Sequence, residues 1–252
     1  MIMPTEIKMG EKGLKYIDFH THVLPQIDDG SRGVDESLRM LTISKEYGVE
    51  RIVATPHFYP SRERPESFFK RRDDAVTMLA EAVKENGETL PTVCIGAEVA
   101  FFDGISGCRF IEQLCVEGTN TILVEMPMDK WSQSTFTDFM RIRDRGLTPV
   151  IAHAERCLPM QSVAIKRLLF DENIVLQVNS EVFLKLGARR FAASLLREGY
   201  PIVLGSDCHD LGKRAPDLGK AVEVISKKLG EKALVDMTGL AEKLLCGSVG
   251  IN

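Results

Sequence analysis

The chain has 252 residues, 44% of them hydrophobic and 27% charged, which suits one large soluble α/β domain with a sizeable core. Its formal charge of -4 argues against a general nucleic-acid binder. Residues 1–15 lack the apolar core of a signal peptide, and no run of about 18 apolar residues occurs, so the expectation is a cytoplasmic protein with no direct membrane insertion.

Residues 1–14 read as an N-terminal extension and 15–252 as a single domain. The first strand spans 16–22, an apolar run that closes on His20 and His22. Side chains two apart on a strand point the same way, so both imidazoles, with Asp18 behind them, should face one side. Two histidines at one strand end make half a metal site, although alone the motif fits a polar rim equally well. The loop 24–31 follows, where Asp28 reads as a turn former and Asp29 as a ligand candidate.

A helix starting near residue 35 has acids in its first turn and Gly48 at its end. Strand 51–55 runs into Pro56 and His57. The connection 58–66 contains Pro60 and Pro65, which speaks against continuous helix, and a helix over 67–86 should follow, closed by Gly87. Arg62, Arg64, Lys70, Arg71 and Arg72 cluster here, either as a solvated face or as the rim of a site for an acidic substrate.

Five further strands are expected at 91–95, 121–124, 148–152, 174–178 and 201–204. They end respectively in Gly96-Ala97-Glu98, Glu125, His153-Ala154-Glu155-Arg156, Asn179-Ser180-Glu181 and Gly205-Ser206-Asp207-Cys208-His209. Helices over 218–229 and 232–245 finish the chain. Seven strands alternating with helices imply a parallel sheet, and no Gly-x-Gly-x-x-Gly follows strand one to suggest a dinucleotide fold. Polar residues at the C-terminal ends of many strands fit a distorted seven-stranded (β/α)7 barrel, with an open doubly wound sheet as the alternative.

All five histidines close strand-like runs: His20, His22, His57, His153 and His209. With Asp29, Glu98, Glu125 and Asp207 they make nine ligand-type side chains, more than one ion needs. Two or three divalent ions follow, of the Mn, Fe or Zn type that imidazole and carboxylate suit. Glu98 or Glu125 alone could equally cap a helix, and Glu155 reads as structural. The six cysteines show no C-x-x-C spacing and read as mostly buried thiols in a reducing compartment.

The motifs His20-Thr21-His22, Leu24-Pro25-Gln26-Ile27-Asp28-Asp29-Gly30, Ala54-Thr55-Pro56-His57, Gly96-Ala97-Glu98, His153-Ala154-Glu155-Arg156 and Gly205-Ser206-Asp207-Cys208-His209 resemble the PHP (polymerase and histidinol phosphatase) superfamily. Within it they are similar to the bacterial manganese-dependent protein-tyrosine phosphatases of capsule and exopolysaccharide gene clusters. The likeness runs over 16–214; residues 1–14 and the connection 62–70 match no motif. It implies a PHP-type barrel and a trinuclear site. His20, His22, Glu98 and Asp207 would hold one ion, Glu98, His57, Glu125 and His153 a second, and Asp29, His57 and His209 a third. Arg156 and Arg214 would clamp the phosphoryl group, and with His57 and Asp29 they are the catalytic candidates. The implied partner is a phosphotyrosine-bearing protein, namely the tail of a membrane-associated bacterial tyrosine kinase.

The expected mechanism is direct attack by a hydroxide bridging the metals, without a phosphoenzyme, with Asp18 orienting a ligand histidine. Tyrosine's hydroxyl has a pKa of about 10, so an aryl phosphate is the easy substrate. Rival readings are a histidinol-phosphatase type enzyme, a metal-dependent amidohydrolase, and a non-catalytic metal-binding regulatory module. Cys208 to Arg214 also satisfies C-x5-R, the signature of cysteine-based phosphatases, but Asp210 would place an anion in that cradle.

Overall fold

The computed structural model describes residues 15–251; the proposed extension 1–14 lies outside the described residues. The first half runs β1 (Tyr16–Thr21), α1 (Val34–Glu46), β2 (Val49–Ala54), β3 (His57–Phe58), α2 (Pro65–Asn86), β4 (Thr92–Ile95), β5 (Glu98–Ala100) and β6 (Thr121–Glu125). The second half begins with α3 (Gln133–Arg141), β7 (Thr148–Ile151), α4 (Ala154–Cys157), α5 (Val163–Asp171) and β8 (Val175–Asn179). It ends with α6 (Glu181–Leu184), α7 (Leu186–Glu198), β9 (Ile202–Gly205), α8 (Leu218–Leu229), α9 (Glu231–Leu244) and β10 (Gly250–Ile251).

The fold is α/β with parallel strands, in two sheets ordered β1-β2-β4-β10 and β3-β5-β6-β7-β8-β9. Only β10, paired with β4, runs antiparallel among the described residues. The expected seven strands are ten segments here: two of them are each interrupted, and β10 is an additional short strand. Thr55 and Pro56 separate β2 from β3, and Pro56 has no N–H to give a ladder. Gly96 and Ala97 separate β4 from β5. The segments still track one another: Gly96 N donates to the Ala54 carbonyl (2.9 Å) and Glu98 N to that of Pro56 (3.0 Å). β9 also meets β1, where Asp207 N donates to the His20 carbonyl (2.8 Å) and His22 N to that of Cys208 (2.9 Å).

Helix α2 begins two residues before the expected start because Pro65 occupies its first turn, where a missing N–H costs nothing. Alternation along the strands divides the core into two apolar clusters. Ile52, Ile122, Ile151, Leu176 and Ile202 face the larger one, which the helices cover. Phe19, Val53, Leu123, Val150, Val175 and Val203 face the smaller, closed by Ala241 and Leu245 at the end of α9. The strands β2, β4, β6, β7, β8 and β9 are thus packed on both faces.

Candidate metal centre

The strand ends bring all nine sequence-predicted ligand residues into one cluster. Glu98, first residue of β5 and fully buried, lies at its middle. Its Oε1 is 2.7 Å from His153 Nε2, and its Oε2 is 2.9 Å from His57 Nδ1, 3.2 Å from His20 Nε2 and 3.4 Å from His22 Nε2. Asp207 Oδ1 lies 3.5–3.7 Å from His22, His20 and His209. Glu125 Oε1 is 3.6 Å from His153 Nε2, and Asp29 Oδ1 is 3.3 Å from His57 Nε2 and 3.5 Å from His209 Nε2.

The hydrogen bonds behind the rings decide what the rings present. His22 Nδ1 lies 2.8 Å from the Asp28 carboxylate, His20 Nδ1 2.9 Å from Gln177 Oε1, and His209 Nδ1 2.9 Å from the Asp207 carbonyl. Each of these partners accepts, so each Nδ1 carries the hydrogen and each Nε2 turns a lone pair to the cluster. His20 Nε2 and His22 Nε2 then face one another at 3.2 Å. Glu98 Oε2, His153 Nδ1 and His209 Nε2 are buried with no hydrogen-bond partner. Unsatisfied buried groups cost ~1–3 kcal/mol each, and converging lone pairs repel, so this donor set fits cations.

Without a cation, a proton takes its place. Burial alone would push the imidazoles toward neutrality, yet Glu98 and Asp207 around His20, and Asp207, Asp28 and Glu98 around His22, hold both above the ordinary histidine range, so an arriving cation displaces hydrogen from Nε2 while Nδ1 keeps its own. Burial likewise opposes ionisation of Glu98 and Asp207, but the surrounding imidazoles hold both below the usual carboxylate range. Three groups of potential ligand atoms lie within 4.8 Å of one another: His22, Asp29, His57 and His209; His20, His22 and Glu98; and His57, Glu98 and Glu125. His22 falls in two of them, whereas the sequence resemblance allots it to one.

Two of the candidate ligands stand in the left-handed region, His153 at φ 30 and Asp207 at φ 53. Such backbone costs of order 1–3 kcal/mol and persists where the surroundings enforce it. Arg156, from α4, donates to Asp207 Oδ2 (2.8 Å), and Arg214 to Oδ1 (2.7 Å). Both guanidiniums are a little over one-third exposed, at the rim of the cluster. Asp29 is the most exposed of the nine, at 66%, and lies 3.8 Å from Arg214.

Several expectations change. Asp18 does not orient an imidazole: its Oδ1 accepts from the Ser206 and His20 backbone N–H groups (2.7 and 3.4 Å), tying β9 to β1. Asp28 does form a turn, accepting from Gly30 N (2.9 Å), but its other oxygen holds His22 Nδ1 and His57 N. The basic cluster is mostly spoken for. Lys70 pairs with Asp74, Arg71 with Glu63 and the Ile27 carbonyl, and Arg72 is buried against the Gly96 and Gln113 carbonyls. Arg62 instead lies 4.3 Å over the Tyr59 ring, whose hydroxyl is 3.3 Å from His57 Nδ1.

The C-x5-R stretch is not a phosphate cradle. The Gly212 and Arg214 amides donate to Asp210 Oδ1, at 2.6 and 3.1 Å, and His209 N donates to the Arg214 carbonyl. Cys208 is buried, and burial pushes its thiol well above its ordinary range. Gln177 and Asn179 were invisible as site residues in the sequence. They sit on β8 among apolar neighbours, and an amide at a strand end signals nothing until its partners are known.

Similarity to known proteins points the same way. The profile described as capsular polysaccharide synthesis, CpsB/CapC, matches residues 16–243. The tyrosine-protein phosphatase CpsB of Streptococcus pneumoniae is 29% identical over 234 residues, covering 86% of this chain and 92% of that protein. The tyrosine-protein phosphatase YwqE of Bacillus subtilis is 26% identical, with 91% of each chain covered. Among solved structures, one from a study of YwqE and CpsB, described as unique metal-dependent tyrosine phosphatases, superposes with a TM-score of 0.77 at 25% identity, over 92% of this chain and 95% of that one. The chain belongs to the CpsB/CapC family of capsular polysaccharide synthesis.

Proposed function

We propose that the chain is a metal-dependent phosphomonoester hydrolase, a protein-tyrosine phosphatase, whose substrate is the phosphotyrosine segment of a bacterial tyrosine kinase in polysaccharide synthesis. The observation that carries this is the convergence of bare Nε2 atoms and an unpartnered Glu98 oxygen beneath two guanidinium forks. We assign His20, His22, Glu98 and Asp207 to one ion, Glu98, His57, Glu125 and His153 to a second, and Asp29, His57 and His209 to a third, with manganese the expected metal. Bound divalent ions would supply Lewis acidity and bring the pKa of a water toward ~7.

The chain's own residues do the rest. Arg156 and Arg214 can exchange part of their contact with Asp207 for the phosphoryl oxygens, which guanidinium forks bind in pairs. Their partial exposure lets a substrate reach them from solvent. Asp29, between His57, His209 and Arg214, marks the open side where the ester enters. A phenolate leaves without the protonation an alkoxide needs, so no buried acid has to be found for tyrosine phosphate. The architecture that supports the reading is a distorted seven-stranded barrel: β2 with β3 and β4 with β5 count as two interrupted strands, and β9 returns to β1. A cytoplasmic location fits six unpaired cysteines and described helices none of which is long and apolar enough to cross a membrane.

The deciding experiment offers phosphotyrosine peptide, phosphoserine peptide and histidinol phosphate to protein stripped of metal and then reloaded one metal at a time. Hydrolysis confined to the aryl ester and restored by manganese is expected. Preference for histidinol phosphate would move the chain to the small-molecule branch, and loaded protein inert to all three would make it a binding module.

A further inference from the structure

Strand β8 carries no candidate ligand, yet two of its side chains touch three residues that are candidates. Gln177 and Asn179 are both buried. Asn179 Nδ2 donates to Asp207 Oδ2 (2.9 Å), and Gln177 Nε2 donates to Asn179 Oδ1 (2.9 Å). Gln177 Oε1 is thereby turned to the site, where it accepts from the His153 backbone N–H (2.7 Å) and meets His20 Nδ1 at 2.9 Å.

The polarity of this chain is fixed from both ends. An ionised carboxylate can only accept, so the Asn179 nitrogen must face Asp207, and its oxygen must face Gln177. A backbone N–H can only donate, so the Gln177 atom facing His153 must be oxygen. Both requirements place the same oxygen against His20, which must answer with a hydrogen on Nδ1. Its Nε2 is then the atom that faces Glu98, 3.2 Å away, and the one open to a cation. The same oxygen holds the left-handed backbone of His153. Gly205 is what lets the two side chains approach, since a Cβ there would come within 2.6 Å of both Gln177 Nε2 and His20 Cβ.

We propose that Gln177, backed by Asn179, is a positioning residue that sets the tautomer of His20 and locks the ends of β1, β7 and β9 together for cation binding. This rests on reading the cluster as a metal centre. Losing such an outer hydrogen bond typically costs ~10–100-fold in metal affinity.

The test uses the full chain with zinc as a diamagnetic probe, comparing wild type, Gln177→Leu and Gln177→Glu. Zinc affinity is measured by chelator competition, and the His20 ring by NMR of protein labelled with nitrogen-15 histidine. Gln177→Leu should bind zinc ~10–100-fold more weakly and lose the exchange-protected Nδ1–H signal of His20, with an unchanged far-UV circular dichroism spectrum. Gln177→Glu keeps an acceptor for both donors but sets its second oxygen against Asn179 Oδ1, so it should recover that signal and part of the affinity. A leucine variant that binds zinc like wild type and retains the signal overturns the proposal, as does a glutamate variant no better than leucine. Should zinc and the His20 signal respond as stated while no metal confers hydrolysis of aryl phosphate, the functional reading falls and this inference stands.

Discussion

Asp18 shows how one buried side chain ties stability to pH. Burial pushes its carboxyl up to about 7, although the Ser206 and His20 N–H groups pull the other way, and its Oδ2 has no hydrogen-bond partner. An aspartate with a raised folded pKa contributes nothing below its unfolded value near 4, where both states hold the proton. As pH rises toward 7 the unfolded chain ionises first, so the folded state loses ground, by on the order of 4 kcal/mol when complete. Asp18→Asn cannot titrate, so in chelator-treated protein wild type should weaken relative to the variant between pH 4 and 7. Urea titrations at the two pH values check it; parallel curves would remove the carboxyl from the account. Cys208 offers a second test. Its buried, raised thiol cannot serve as a nucleophile at neutral pH, so Cys208→Ser should keep phosphatase activity within a few-fold, and abolition with full metal content would restore the cysteine route. At this scale the sequence was legible where residue type announces chemistry, as at His20 and Glu98. It was silent where a common amide or aspartate, Gln177 or Asp28, acquires its role from a partner far away in the chain.

Elements were legible where hydrophobic periodicity sets them and less so where backbone chemistry interrupts them. The runs at 121–124 and 201–204 became β6 and β9 with shifts of a residue at an end, since a buried parallel strand has to be apolar on both faces. The strand ends before Pro56 and Gly96 were expected, but the return to strand at β3 and β5 was not, because two or three residues make no apolar pattern. Both short strands open on a candidate ligand, His57 and Glu98, which pair in the ladder while their side chains meet in the cluster. Gly205, at the end of β9, answers to packing instead: it is the gap through which His20 and Gln177 meet. Gly205→Ala should therefore cost ~1–3 kcal/mol by overpacking and weaken metal binding as His20 is displaced. Gly187, in the first turn of α7, has open space where a Cβ would go, so Gly187→Ala should be neutral or gain up to ~1 kcal/mol. Thermal melts with metal titration separate the two. Equal effects at both positions would mean that helix and strand propensity, not crowding at the site, governs Gly205.

At the scale of the whole molecule, fold and site draw on different residues, and this decides how removal of metal should look. The two apolar clusters pack both faces of β2, β4, β6, β7, β8 and β9 without using a single candidate ligand side chain, so these strands should not need cations to assemble. The candidate ligands gather at or near strand ends, where the left-handed backbones of His153 and Asp207 and the unpartnered atoms of Glu98, His153 and His209 carry a local cost. That separation also explains why the sequence revealed so much: strand runs and the ligands that end them lie next to one another in the chain, whereas closure of β9 onto β1 is a property only of the folded whole. Chelation should leave the far-UV circular dichroism spectrum intact and lower the melting temperature. A ligand present at 100 times its Kd stabilises by about 2.7 kcal/mol, and in a chain of this size each kcal/mol moves Tm by roughly 2–4 °C. A fall of roughly 5–10 °C on removing manganese is thus expected, reversed on its return and scaling with the logarithm of its concentration. A melting temperature indifferent to saturating metal would show that the cluster binds no cation of consequence. Loss of secondary structure on chelation would show instead that the ions build the fold and do not merely occupy it.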